Sequence, residues 1–220
     1  MKSKSKICFD ALCQVCDMIQ DNITAREEFS DKLKELGIKH LLSVELYKFL
    51  AYVAVSDGVI SWNDSHFISE LTGSNSTPES IDKHIRENNI YSTEFEEEIP
   101  LILQLLVSVD IIIYQKKGGD YAPDEELSGL LVKLYTMAAG ELIEANGRGV
   151  EDLCKAENEN LSIYFSNMQR YIDENLESHH VDIIVDYGKN TNKKRENGDV
   201  VAPKKNTKGN KSVKAPKKRA

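Results

Sequence analysis

The residues best suited to chemistry in this 220-residue chain are acids beside a sharp turn. Asp57-Gly58 closes an apolar run, Asp64 follows shortly, and Asp110 sits within the most apolar segment of the chain. Hard cations such as calcium or magnesium take several oxygens from turns of this kind. Asp57, Asp64 and Asp110 are therefore candidate ligands for a divalent cation, provided that the fold gathers them. An EF-hand would need acids two and four residues before the turn, where this chain has Val53 and Val55. The more ordinary role of Asp57 is an Asp-Gly helix stop whose carboxylate bonds local backbone N–H groups.

Cys13 and Cys16 form a CxxC, with Cys8 upstream and Cys154 distant. Structural zinc takes four ligands, usually as two such pairs, and no second pair or matching histidine spacing occurs. A redox CxxC normally opens a helix after a strand, whereas these cysteines fall inside an apolar helical period. They read as small hydrophobes on a core face in a reducing compartment. His179-His180 is adjacent along the chain, His40, His66 and His84 are scattered, and no Ser/His/Asp set can be assembled. Lys116 to Gly119 lacks the GxxxxGK[ST] spacing of a phosphate-binding loop. No catalytic constellation is present, and the expectation is a protein that is not an enzyme.

Charge is the strongest functional signal. Residues 188–220 hold 12 basic residues against Glu196 and Asp199, a net +10. That leaves 16 basic and 34 acidic residues in 1–187, a net −18, so the overall −8 describes neither part. The tail has no apolar period and should be disordered. Lys193, Lys194, Arg195, Lys204, Lys205, Lys217, Lys218 and Arg219 are its densest cations and the candidate nucleic-acid contacts. They would gather phosphates without sequence preference. The tail contains no aromatic residue, so base stacking is not open to it. An anionic membrane surface is a second possible target. Glu94 to Glu98 places four acids around Phe95, and reads as a solvated helix start or as an acidic patch for a protein partner. Trp62, beside the Asp57 turn, reads as an exposed anchor or as a half-buried side chain.

The elements that must position these residues read as helix nearly throughout. Ile7, Leu12, Val15, Cys16 and Ile19 recur at helical spacing. Thr24 and Glu27 form a capping box that opens a second helix, which Gly37 would close. Residues 41–55 are apolar on most faces, the mark of a central helix. Ser61 and Asp64 cap the next helix, and Thr77-Pro78 caps another. Pro100 precedes an apolar run, 101–113, whose Ile111-Ile112-Ile113 end favours a strand by propensity, but the length of the run decides for a helix. A loop at 115–123 precedes a helix over about 124–145, interrupted or bent at Gly140 and stopped by Asn146-Gly147. Residues 162–176 form a last amphipathic helix, and 181–187 could dock as an extended strand. Mean hydropathy is −0.42 and no apolar stretch reaches the ~18 residues of a spanning helix. The lysine-rich start is followed by Asp10 and Asp17 rather than by an apolar core, so export is not expected and the chain is placed in the cytoplasm.

Two segments are alike: an apolar helix ends in Asp57-Gly58 and, 89 residues later, another ends in Asn146-Gly147. Acids follow each, Asp64 after the first and Glu151 and Asp152 after the second. The stretch from Tyr52 to Ser61, with Asp64, Phe67 and Ile68, resembles tellurite-resistance TerB-like domains. The likeness continues more loosely through Ile99-Pro100, Asp110 and Asn146-Gly147 to 164–176, and covers about 43–176. What the resemblance implies is a compact all-helical, non-enzymatic domain with acids at its helix–helix turns for divalent cations. The chain departs from the family pattern at Asn146, where Asp is usual, and at Asp64, where Glu is common.

The sequence thus predicts an all-α multi-helix bundle, 1–187, followed by a disordered lysine-rich tail, 188–220. It predicts a binding or adaptor protein whose body docks a protein partner and whose tail binds nucleic acid. The alternative is a TerB-like, cation-binding stress-response module with an incidental tail.

Overall fold

A computed structural model describes residues 2–23, 37–56, 58–90, 93–117 and 126–196, with the side chains of the last helix described as far as Leu176. All regular structure among them is helical. In chain order the helices are α1 (Lys4–Ile23), α2 (Ile38–Val55), α3 (Trp62–Thr72), α4 (Pro78–Glu87), the short α5 (Thr93–Glu97), α6 (Leu101–Lys117), α7 (Leu127–Ala145) and α8 (Lys155–Glu196). A 3-10 turn, Val150–Asp152, precedes α8. The chain divides into a body, Met1–Ile184, and a second unit, Val185–Ala220. No described helix is long and apolar enough to cross a membrane.

α2 is central, as its all-round apolar sequence predicts: it touches α1, α3, α4, α6 and α7. Leu42, Leu46, Phe49 and Leu50 are fully buried. Phe49 stacks between Tyr135 of α7, at 4.7 Å, and Tyr164 of α8, at 5.0 Å. Tyr52 and Phe95 extend this aromatic cluster. Ring pairs of this kind add about 0.5–1.5 kcal/mol each beyond the area they bury.

One member of the cluster is imperfectly satisfied. The Tyr135 hydroxyl is buried with no hydrogen-bond partner among the described residues, and burial pushes its phenol well above the usual range. A buried polar group left unpaired costs about 1–3 kcal/mol. Tyr135→Phe should therefore keep the stack and raise stability by about 1 kcal/mol in urea unfolding. A loss of that size instead would mean that the hydroxyl has a partner in solution.

Three helices begin on side chains borrowed from another helix. The N-terminus of α1 donates from Lys4 N (2.9 Å), Ser5 N (3.2 Å) and Ser5 Oγ to the carboxylate of Glu141 on α7. α2 opens at Gly37, which has no side chain to cap it, and Ile38 N donates instead to Gln20 Oε1 of α1 at 3.0 Å. α7 opens at Glu126, which also makes no cap, and Asp110 of α6 supplies the acceptors. In contrast α3 and α4 cap themselves, with boxes at Ser61/Asp64 and Thr77/Ser80, and Pro78 occupies the first turn of α4 as expected.

Ile111 to Ile113 are helical, as the length of their run predicts. Other expectations change. α7 runs unbroken through Gly140. Residues 181–187 continue α8 rather than forming a strand, since extending an existing helix is far easier than starting a new element. α8 also passes the expected start of the tail at 188, while 197–220 lie outside the described residues. The predicted loop at 115–123 gives up 115–117 to the end of α6, and its remainder, like the predicted helix over 24–36, lies outside the described residues.

Candidate functional site

The two glycine turns that look alike in sequence meet in space. α2 stops at Val55, and Gly58 at φ +82° turns the chain so that its N–H donates to Val55 O at 2.8 Å. The chain then enters α3 through Ser61, whose N–H donates to Asp64 Oδ2 at 2.7 Å while Asp64 N donates to Ser61 Oγ at 3.1 Å. α7 stops the same way: Gly147, at φ +70°, donates to Glu144 O at 2.9 Å. Asn146 reaches across, with Nδ2 donating to Asp64 Oδ1 at 2.6 Å and Oδ1 accepting from Ser61 Oγ at 2.8 Å. Asp64 is fully buried. The ring of bonds needs an amide at 146, because the Asp64 carboxylate can only accept and Ser61 already donates. Where an acid at this position would call for a cation or a proton, Asn146 supplies an N–H.

The second turn carries its own acid, and it is not one that the sequence comparison singled out. Glu157, in the first turn of α8, accepts from Cys154 N at 2.6 Å and receives Arg148 Nη2 at 3.1 and 3.0 Å. It is the counterpart of Asp64: both are buried acids that accept the N–H at the start of their own helix. The 3-10 turn moves it beyond Glu151 and Asp152, which are exposed. Burial alone would push the Glu157 carboxyl up, but the Arg148 and Cys154 bonds outweigh it and hold the group below the usual carboxylate range. An Arg directly after Asn-Gly, with an acid nine residues further on, is the sequence signal that could have found this pair.

The three predicted ligands are thus placed as follows. Asp64 is taken up by Ser61 and Asn146. Asp110 is fully buried and accepts from Leu127 N (3.0 Å), Ser128 N (2.9 Å) and Ser128 Oγ (2.7 Å), so its position is explained by the start of α7. Asp57 lies outside the described residues. Among the described residues no group of three or more His, Cys, Asp or Glu side chains is gathered as a metal would require.

Cys13 and Cys16 are buried in the core on the inner face of α1. Burial pushes the Cys16 thiol up to about 12 and raises those of Cys13 and Cys8, which disfavours the reactive thiolate. His40 and His66 are exposed, and the side chains of 179 and 180 lie outside the described residues. His84 packs edge-on to Tyr47 with ring centroids 4.9 Å apart, and its Nε2 is buried without a partner among the described residues. Burial and the nearby Lys48 lower its pKa from 6.5, against a smaller pull from Glu87. A histidine depressed in the folded state stabilises fully above its unfolded value and loses that stability as pH falls. The Tm should therefore drop as pH falls below about 6.5, and His84→Gln should flatten that drop.

Trp62 is 69% exposed and Val59 68%, so the half-buried expectation for Trp62 gives way to an exposed side chain beside the paired turns. Of the acidic run 94–98, Phe95 is buried, Glu96 accepts from Tyr52 OH at 2.9 Å and Asn167 Nδ2 donates to Glu96 O at 3.0 Å, so part of that run holds α5 to α2 and α8. A groove of about 460 Å3 between α1 and α3 is lined by Lys2, Lys6, Phe67 and Glu70 among others. Its two lysines pair with Asp10, at 2.6 and 3.3 Å. Of the predicted tail contacts, Lys193, Lys194 and Arg195 lie on the backbone of α8, and Lys204, Lys205, Lys217, Lys218 and Arg219 lie outside the described residues.

No protein-family model, curated protein or solved structure matches this chain.

Proposed function

We propose that this chain is a non-enzymatic adaptor of the cytoplasm, whose helical body docks a protein partner and whose cationic tail gathers nucleic acid by charge. The observation that carries the reading is the division of charge, +10 in 188–220 against −18 in 1–187. A surface of net −18 repels phosphate, so any affinity for nucleic acid falls to the tail. On the body, Trp62 and Val59 offer an apolar contact of the kind that anchors protein interfaces, since exposed tryptophan is enriched at their energetic centres.

The test is binding to DNA and RNA by the full chain, by 1–196, which keeps α8 whole, and by 1–187, which lacks all twelve cations. The expected order of affinity is full chain, then 1–196, then no binding by 1–187. Equal binding by all three would sink the reading.

A second reading, a TerB-like cation-binding module for stress response, draws on the meeting of the two glycine turns at Asp64. It requires that calcium or magnesium raise the Tm of the full chain and that Asp57→Ala abolish the rise.

A further inference from the structure

Asn146 precedes glycine, as does Asn197 in the only other Asn-Gly of the chain, which lies outside the described residues. Glycine leaves its own amide nitrogen unshielded, and that nitrogen can attack the preceding side-chain amide. The N–Cγ bond forms as the Cγ–Nδ2 bond breaks, and ammonia leaves as the amide proton is lost. Water then opens the cyclic imide at either carbonyl, to aspartate or isoaspartate. The co-reactant is water alone, and no redox change occurs.

The fold opposes each part of this reaction at Asn146. The nucleophile is engaged, because Gly147 N donates to Glu144 O at 2.9 Å. The backbone of Asn146, at φ −87° and ψ 8°, keeps the compact geometry of a helix end. Its amide is held at both atoms, by Ser61 Oγ at 2.8 Å and by Asp64 Oδ1 at 2.6 Å. Cyclisation must swing Cγ toward the Gly147 nitrogen, and all these bonds must break first. The product is also incompatible with its site. A carboxylate at 146 would set its oxygens against those of fully buried Asp64, where two like charges at hydrogen-bond distance cannot both ionise.

We propose that Asn146 is a latent deamidation site, shut while the two turns are joined, and that its conversion to an acid permanently cuts the link between them. A chain converted while this corner is open would refold without its Asn146–Asp64 bond, and so carry a covalent record of the opening.

The full chain would be incubated in mildly alkaline buffer, folded and in urea, with conversion at Asn146 and at Asn197 followed by peptide mass. Each site is compared with itself in urea. Asn146 should convert at least about tenfold more slowly when folded, since reaction then proceeds only from a minor opened form. Ser61→Ala, which lacks the donor to Oδ1, should convert faster than the parent when folded and at the parent rate in urea. Asn146→Asp should lower the Tm by roughly 3–8 °C, and if that variant does not fold, the rates in the parent chain decide alone. Equal folded and urea rates at Asn146, or an Asn146→Asp variant that melts with the parent, would overturn the proposal.

Discussion

Asp110→Ala is expected to destabilise the body by about 3–5 kcal/mol, the largest effect of any single polar substitution discussed for this chain. The carboxylate is fully buried and accepts from two backbone N–H groups and one hydroxyl at the start of α7. Alanine leaves those donors without acceptors in a place that water does not reach. Each stranded donor costs about 1–3 kcal/mol, and the negative charge near the positive end of α7 is lost as well. Asp110→Asn keeps one acceptor and should cost less, about 2 kcal/mol. Ser128→Ala removes one donor and leaves Asp110 Oδ2 still accepting from Ser128 N, so it should cost about 1 kcal/mol. Urea unfolding of the three variants checks this order. Running each with calcium and with a chelator decides between the cap seen in the structure and the ligand suggested by the sequence: a cap loses the same stability in both, whereas a ligand loses it only when the cation is present. If Asp110→Ala were no worse than Ser128→Ala, the backbone donors of α7 would have other acceptors and the capping account would fall.

The largest effect on binding should come from salt. Twelve cations in 33 residues can neutralise six to ten phosphates, and each neutralised phosphate releases a condensed counterion. Affinity of the full chain for duplex DNA should accordingly fall by about 10^3 to 10^5 between about 50 and 200 mM salt. The 1–196 chain retains four of the cations and should show a slope about a third as steep. Lacking aromatic residues, the tail should not distinguish one single-stranded sequence from another by stacking. Binding that survives high salt, or that depends on base sequence, would point to contacts outside the tail and against the proposed division of labour.

What could be read from the sequence was local. Ser61 with Asp64, Thr77 with Pro78, and the all-round apolar face of α2 each declare themselves within a few residues, and each appears in the structure as expected. What could not be read was remote. Nothing near Glu141 says that it will hold the first turn of α1, some 136 residues away, and nothing near Gln20 points to Ile38 N. Asp110 was legible only as an acid within an apolar segment and was read as a cation ligand, because its true partners belong to another helix. The likeness of the two glycine turns was legible, yet it pointed to Glu151 and Asp152. The inserted 3-10 turn passes the role to Glu157 instead. Trp62 shows the same limit, because exposure is set by what the neighbouring helices leave uncovered.

The borrowed helix starts also bear on how the body comes apart. α1 is anchored on α7, α2 on α1 and α7 on α6, so a loss at any one strands backbone donors on the next. Elements tied in series cannot fray one by one at low cost, and they should exchange their amide hydrogens as a single cooperative unit. α4, which carries its own cap, is the part free to open early, whereas α3 caps itself but is also tied to α7 through Asn146. A fragment lacking 1–23 would therefore lose more than one helix: it would leave Ile38 N and Glu141 without partners, and the remainder should not reach the native state on its own.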